Sequence, residues 1–116
     1  MQRSFRLTRS EDFKRVRRDG KSYAHPLVVL IVQNTDQPRV RVGVAAGKAV
    51  GTAVYRNRSK RLLREAMRTL LPNIASGLDL ILIARPALAS ATLADTQSAL
   101  LNLLQRAKVL TPKHES

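Results

Sequence analysis

An α/β two-layer sandwich is the fold class this sequence predicts, and three observations predict it. Two apolar, β-branched runs, Leu27–Gln33 and Leu78–Ala84, and one alternating basic–apolar run, Arg39–Val44, have the length and composition of strands. Three stretches near 10–19, 53–71 and 92–107 carry apolar residues at helical spacing. Their order is helix, strand, strand, helix, strand, helix, with room for a further short strand near Lys21–Ala24. Helices on one face of a sheet, with part of the other face free, satisfy that order.

The lead, residues 1–9, is basic and without periodicity. Ser10 is a natural N-cap for the first helix, and Glu11 and Asp12 suit the positive end of its dipole. Phe13, Val16 and Arg17 share a face, and Asp19-Gly20 stops the helix. Leu27–Gln33 reads as a buried strand, and Asn34–Pro38 as a turn. Arg39–Val44 alternates basic and apolar residues, giving a strand with a core face and a cationic face. These two strands are expected to pair antiparallel. Thr52 caps the second helix, which is expected to run to Leu71-Pro72. Leu78–Ala84 is the most apolar strand, ended by Arg85-Pro86. Thr92 with Asp95 makes a capping box for the last helix, whose apolar stripe is Leu93, Leu100, Leu103, Leu104 and Ala107. Residues 111–116 read as a frayed tail, and the 116 residues as one domain, 1–116.

The chain has no cysteine, which excludes disulfides, zinc ribbons and thiol catalysis. No secretory signal is visible, and the longest apolar run, Leu27–Val32, falls far short of the ~20 residues that span a bilayer. A cytoplasmic protein is expected. The formal charge of +13 speaks about partners rather than fold. Residues 1–68 hold 17 Lys/Arg against 5 Asp/Glu, whereas residues 69–116 hold 4 against 3. The binding surface must therefore come from the first part of the chain.

That surface centres on the second helix. At 100° per residue, Ser59, Leu62, Leu63, Ala66, Met67 and Leu70 fall on one side. Arg56, Asn57, Arg58, Lys60, Arg61, Arg64 and Arg68 are read as the other, with Glu65 as the lone acid. Solvated helices mix acids with bases to gain i,i+4 pairs; this one repels itself unless a polyanion neutralises it. Arg grips phosphate oxygens at two points, and Asn57 can reach a 2′-hydroxyl or a base edge. RNA is the expected partner. The glycine loop Gly43–Lys48 fails the phosphate-loop pattern, with three residues between its glycines and Ala49 after the lysine. No pair of carboxylates or partnered histidine marks a protein catalytic centre or a metal site, so no catalytic and no metal-ligating residue is assigned. Phe13 or Tyr23 could line an open sheet face and stack on an unpaired base.

Together these residues resemble the bacterial ribonuclease P protein component. The likeness is carried by Arg41-Val42-Gly43, Lys48, Gly51, Ala53-Val54, Arg56-Asn57-Arg58, Lys60-Arg61 and Arg64-Glu65-Ala66. Arg6-Leu7, Glu11-Asp12-Phe13, Val16, Gly20 and Ile81–Pro86 add to it, so that it covers residues 5–107. The resemblance implies a ribosomal S5 domain 2-like sandwich with a left-handed strand–helix–strand crossover, against the usual hand. It implies a subunit of the ribonucleoprotein that removes the 5′ leader from precursor tRNA, with Mg²⁺ held by the RNA subunit, which performs the hydrolysis. It gives binding of that catalytic RNA to Arg56, Asn57, Arg58, Lys60, Arg61, Arg64 and Arg68. It gives the 5′ leader to a cleft between the first helix and the sheet, at Phe13, Arg17, Ile31 and Lys48, with Arg6 and Arg41 at its edges. The protein would be a monomer within a 1:1 or higher-order ribonucleoprotein, with no DNA or membrane partner. Arg17 and Ile31 stand where many relatives carry aromatics, and Gly47-Lys48-Ala49 where many carry Ser-Lys-Lys, so this cleft is expected to stack less and to rely more on charge. The competing readings are a structural, ribosomal-protein-like RNA binder, a nuclease acting without RNA, and a helix-turn-helix DNA-binding protein; strands flanking the basic helix disfavour the last.

Overall fold

The computed structural model describes residues 6–111. Seven elements follow in order: α1 (Ser10–Asp19), β1 (Lys21–Ala24), β2 (Val28–Asn34), β3 (Val40–Ala46), α2 (Ala53–Arg68), β4 (Leu78–Ala84) and α3 (Leu93–Ala107). Short 3-10 turns lie at Lys48–Val50, Leu71–Asn73 and Pro86–Ser90. The short strand expected near Lys21–Ala24 is present as β1.

The sheet order is β1-β2-β4-β3. β4 pairs antiparallel with β2 and parallel with β3. The expected antiparallel pairing of β2 with β3 is therefore wrong: β4 lies between them. β4 is buried along nearly its whole length, so it takes the centre, where helices cover both faces. β3 carries Arg41 and tolerates an outer position. Its outer edge is met by the lead, where Arg6 forms a parallel bridge to Val42 and the Leu7 amide donates to the Val42 carbonyl at 2.9 Å. Thus residues 6–7 of the lead are structured; residues 1–5 lie outside the described range.

The period-2 alternation of the strands divides two cores. Val28, Leu30, Val40, Val42, Leu78, Leu80 and Leu82 face α2 and α3 and form the main core. Ile31 and Ile81 face the other way, onto Leu7, Val16 and Phe13. The helices are thus not confined to one face. α1 occupies part of the second face, which is the change that creates a cleft beside it.

Helix ends follow local chemistry in part. Thr92 and Asp95 form the expected capping box, the Asp95 amide donating to Thr92 Oγ1 at 3.0 Å. Ser10 is not a cap: Arg9 occupies that position without a side-chain bond, and Ser10 lies inside the first turn with Glu11 and Asp12. Thr52 stands at the N-cap of α2, but its hydroxyl caps nothing. α2 stops at Arg68, ahead of Leu71-Pro72, because Pro72 has no N–H to give the Arg68 carbonyl four residues back; Leu71–Asn73 continues as a 3-10 turn. Leu93 is 37% exposed and leaves the apolar stripe of α3, while Leu100, Leu103 and Leu104 are fully buried. Thr111 is not frayed; its amide donates to the Asn73 carbonyl at 2.7 Å, and residues 112–116 lie outside the described range.

Candidate nucleic-acid interface

α2 turns Ser59, Leu63, Ala66 and Met67 into the main core. Its opposite side exposes Asn57, Arg61 and Arg68, with Lys60 and Arg64 half-exposed along one flank. A 16-residue helix is about 24 Å long, so these side chains stand in a row rather than a cluster. Arg68 is an exposed partner of Glu65 at 3.1 Å, a pair worth little in water.

Two of the predicted ridge cations point elsewhere. Arg56 lies seven and eleven positions before Leu63 and Met67, which places it on the core side of the helix. It is half-buried, and its Nη1 donates to the Gly51 carbonyl at 3.2 Å, closing the turn into α2. Gly51 has φ +131°, a backbone state that side chains rarely adopt. Arg58 donates to the Ala89 carbonyl and ties α2 to the 3-10 turn Pro86–Ser90. Arg56 and Arg58 therefore hold the helix in place, and Asn57, Lys60, Arg61, Arg64 and Arg68 form the outward face.

On the α1 face, α1 covers the rows Gly43-Ile81-Ile31 and Arg41-Asp79-Gln33. The next row, Ala45-Ile83-Val29-Ala24, is only partly covered and forms the floor of a cleft. Phe13 stands at its wall. A Cβ added at Gly43 would fall 2.6 Å from Phe13 Cζ, so the glycine lets the ring lie directly on β3. Arg17 is exposed on α1, and Lys48 is exposed where the chain leaves β3. Ile31 is 7% exposed and belongs to the core beneath Val16, so it is not a cleft surface. Val29 and Ile83, which the sequence argument did not single out, hold that place instead; their mates Leu30 and Leu82 face the main core, and only the register separates the two sets.

Arg41 does not lie at a free edge either. Its Nε and Nη2 grip both Asp79 oxygens at 3.1 and 2.9 Å, and its Nη1 lies 3.4 Å from Asp12. Arg15 donates to Asp79 at 2.8 Å, to Asp12 at 3.1 Å and to Gln33. Burial alone would raise the Asp79 carboxyl, but the hydrogen bonds from Arg41 and Arg15 outweigh it and hold that group below the usual carboxylate range. This four-residue lock clamps α1 to the sheet. Its signal was in the sequence: Asp79 interrupts an apolar run, and a buried acid requires a partner.

Arg6 lines a cavity with Phe13 and Gly43 at the outer edge of β3, between the α1 face and α2. Neighbours on an extended segment point to opposite faces. Leu7 is buried under α1, so Arg6 projects toward α2 and Arg64. Burial, with the Arg6 charge added, pushes the Arg64 guanidinium below its ordinary value. Among the described residues no group of three or more His, Cys, Asp or Glu is placed to share a metal ion, and no helix is long and apolar enough to cross a membrane.

The comparisons with known proteins agree with this architecture. The family model described as Ribonuclease P matches residues 1–108. A ribonuclease P protein component of Herpetosiphon aurantiacus is 45% identical over 109 residues, covering 94% of this chain and 89% of that protein. One from an Exiguobacterium strain is 39% identical, covering 94% and 95%. The solved RNase P protein of Staphylococcus aureus superposes with a TM-score of 0.82 at 31% identity, over 92% of this chain and 98% of that one. That of Thermotoga maritima gives 0.78 at 30%, over 87% and 96%. A parallel strand–helix–strand unit with a cationic helix, an α1 clamped across the second sheet face, and relatives spanning almost the full chain lead to one conclusion: the chain belongs to the ribonuclease P protein family and is a protein component of ribonuclease P.

Proposed function

We propose that this protein binds the catalytic RNA of ribonuclease P through the outward face of α2 and guides the 5′ leader of precursor tRNA along the cleft beside α1. The observation that carries the reading is the row Asn57, Arg61, Arg64 and Arg68 on a helix whose opposite side is anchored in the core. Guanidinium groups on a fixed helix bind phosphates without first losing the freedom of a loop. Arg56 and Arg58 act behind them, fixing the N-terminal half of the helix through Gly51 and Ala89.

Val29 and Ile83 offer an apolar floor, the Phe13 ring a stacking wall, and Arg17 and Lys48 exposed charge at the borders. An extended single strand fits such a surface: bases on the floor and the ring, phosphates toward the cations. Binding the leader favours precursor over mature tRNA. Chemistry remains with the RNA and its Mg²⁺. The nearby acids Asp12 and Asp79 spend their oxygens on Arg15 and Arg41, a donor set that suits guanidinium rather than a metal ion. Protein cations that replace part of the counterion atmosphere lower the Mg²⁺ that the RNA demands.

The test is leader removal by the catalytic RNA at limiting Mg²⁺, with and without the protein. Stimulation that vanishes for substrates lacking a leader supports both surfaces. No stimulation favours a purely structural RNA binder, and metal-dependent cleavage by the protein without RNA favours an autonomous nuclease.

A further inference from the structure

A cavity of about 180 Å³ opens where the lead, the outer edge of β3 and α2 meet. Arg6 and Arg64 line it, with Thr8, Gly43 and the Phe13 ring. None of the ion pairs among the described residues involves Arg6 or Arg64. Two guanidinium groups line one small cavity with no acid between them among the described residues; burial, and after it the Arg6 charge, lowers the affinity of Arg64 for its proton. A folded chain that keeps two such charges together without an acid leaves a place for an anion.

The geometry points to a single phosphate site shared by Arg6 and Arg64, which takes one phosphodiester group of bound RNA at the junction between the α2 ridge and the α1 cleft. This rests on the RNA-binding reading above and adds a site that neither surface contains by itself. Arg6 reaches it because Leu7, the next residue, is fastened under α1 and to the edge of β3. A phosphate between the two guanidinium groups therefore pulls the lead against β3 and presses Leu7 into the packing beneath α1. Occupancy at the ridge side thereby steadies the wall of the cleft.

A double-mutant cycle tests the sharing. Arg6→Gln, Arg64→Gln and the double variant are compared in affinity for catalytic RNA, and in affinity of the assembled holoenzyme for precursor tRNA with and without its leader. In one arm, each single change is expected to cost about 10-fold, and the double change little more, because once either fork is lost the cradle is lost. The arm that shows it identifies whether the phosphate belongs to the catalytic RNA or to the leader. Arg61→Gln, placed on the far side of the ridge, should multiply with Arg6→Gln. Both single variants should melt no lower than the wild type, since each removes a repulsion. Losses that multiply to about 100-fold in both arms, an Arg6 variant without effect in either, or a lowered melting temperature would overturn the shared site. If Arg61→Gln also leaves affinity for catalytic RNA unchanged, the failure belongs to the ridge itself.

Discussion

At the scale of single residues, identical side chains on α2 do different work. Arg61 is exposed and makes no side-chain hydrogen bond or ion pair among the described residues, whereas Arg58 donates to the Ala89 carbonyl. Arg61→Ala should weaken binding of catalytic RNA about 10-fold, as expected for one charge-assisted contact, with an unchanged thermal melt. Arg58→Ala should weaken binding and also cost about 1 kcal/mol of stability, because it deletes a hydrogen bond internal to the protein. Binding titrations beside melts separate the two. Asp79 supplies a second test. Its carboxyl is held below the ordinary range, so its stabilisation is complete at neutral pH and is lost as pH falls through the depressed folded value, below about 4. Asp79→Asn should cost about 3 kcal/mol at pH 7, since it unbalances a buried ion-pair network. It should also flatten the acid limb of stability in urea melts recorded between pH 7 and pH 3. An unchanged acid limb would mean that Asp79 is not the group responsible.

At the scale of elements, the cleft depends on how α1 sits. Phe13 lies on Gly43, and Gly20 ends α1 where a Cβ would fall 2.8 Å from Ile31 Cγ2. Phe13→Ala should therefore do two things: lower stability by about 2 kcal/mol, less than the ~3–5 for a fully buried Phe, and reduce the preference for leader-bearing substrate. Gly43→Ala should reduce the same preference with every cleft side chain still present, because it forces the ring and α1 off the sheet. The ratio of kcat/KM for leader-bearing to leaderless substrate measures both. The elements themselves were largely legible in the sequence, because periodicity reports directly which face an element buries: three helices, β2, β3, β4 and the Thr92–Asp95 box stand where the pattern placed them. Pairing was not legible. Nothing local in Leu27–Gln33 or Arg39–Val44 says that β4, distant in sequence, will separate them. The placement of Arg56, Arg41 and Ile31 was legible in part: helix spacing puts Arg56 beside Leu63 and Met67, and Asp79 calls for the arginine it holds. Arg6 was not, since its direction is set by a bridge to Val42.

At the scale of the whole molecule, charge is the dominant property. The chain carries +13, with its cations mostly in residues 1–68, and its association with RNA should fall steeply with salt. The slope of log affinity against log salt should drop by ~0.7–0.9 for each phosphate contact removed from the ridge. The same charge change at Arg106, off the ridge, should leave the slope for catalytic RNA unchanged. Arg106 is on α3 and bonds the Ala24 carbonyl, away from α2's outward face. The proposed division of labour follows the packing: α2 lies on one face of the sheet, where it would meet a folded RNA, and α1 on the other, where it would border an extended strand.

The most direct measurement is site-specific photocrosslinking of the full chain to catalytic RNA, with the probe at position 61 and, for comparison, at position 101 on the exposed side of α3. Position 61 should join to catalytic RNA at discrete nucleotides, and position 101 should not. Capture of that RNA from position 101, with none from position 61, would contradict the proposed interface.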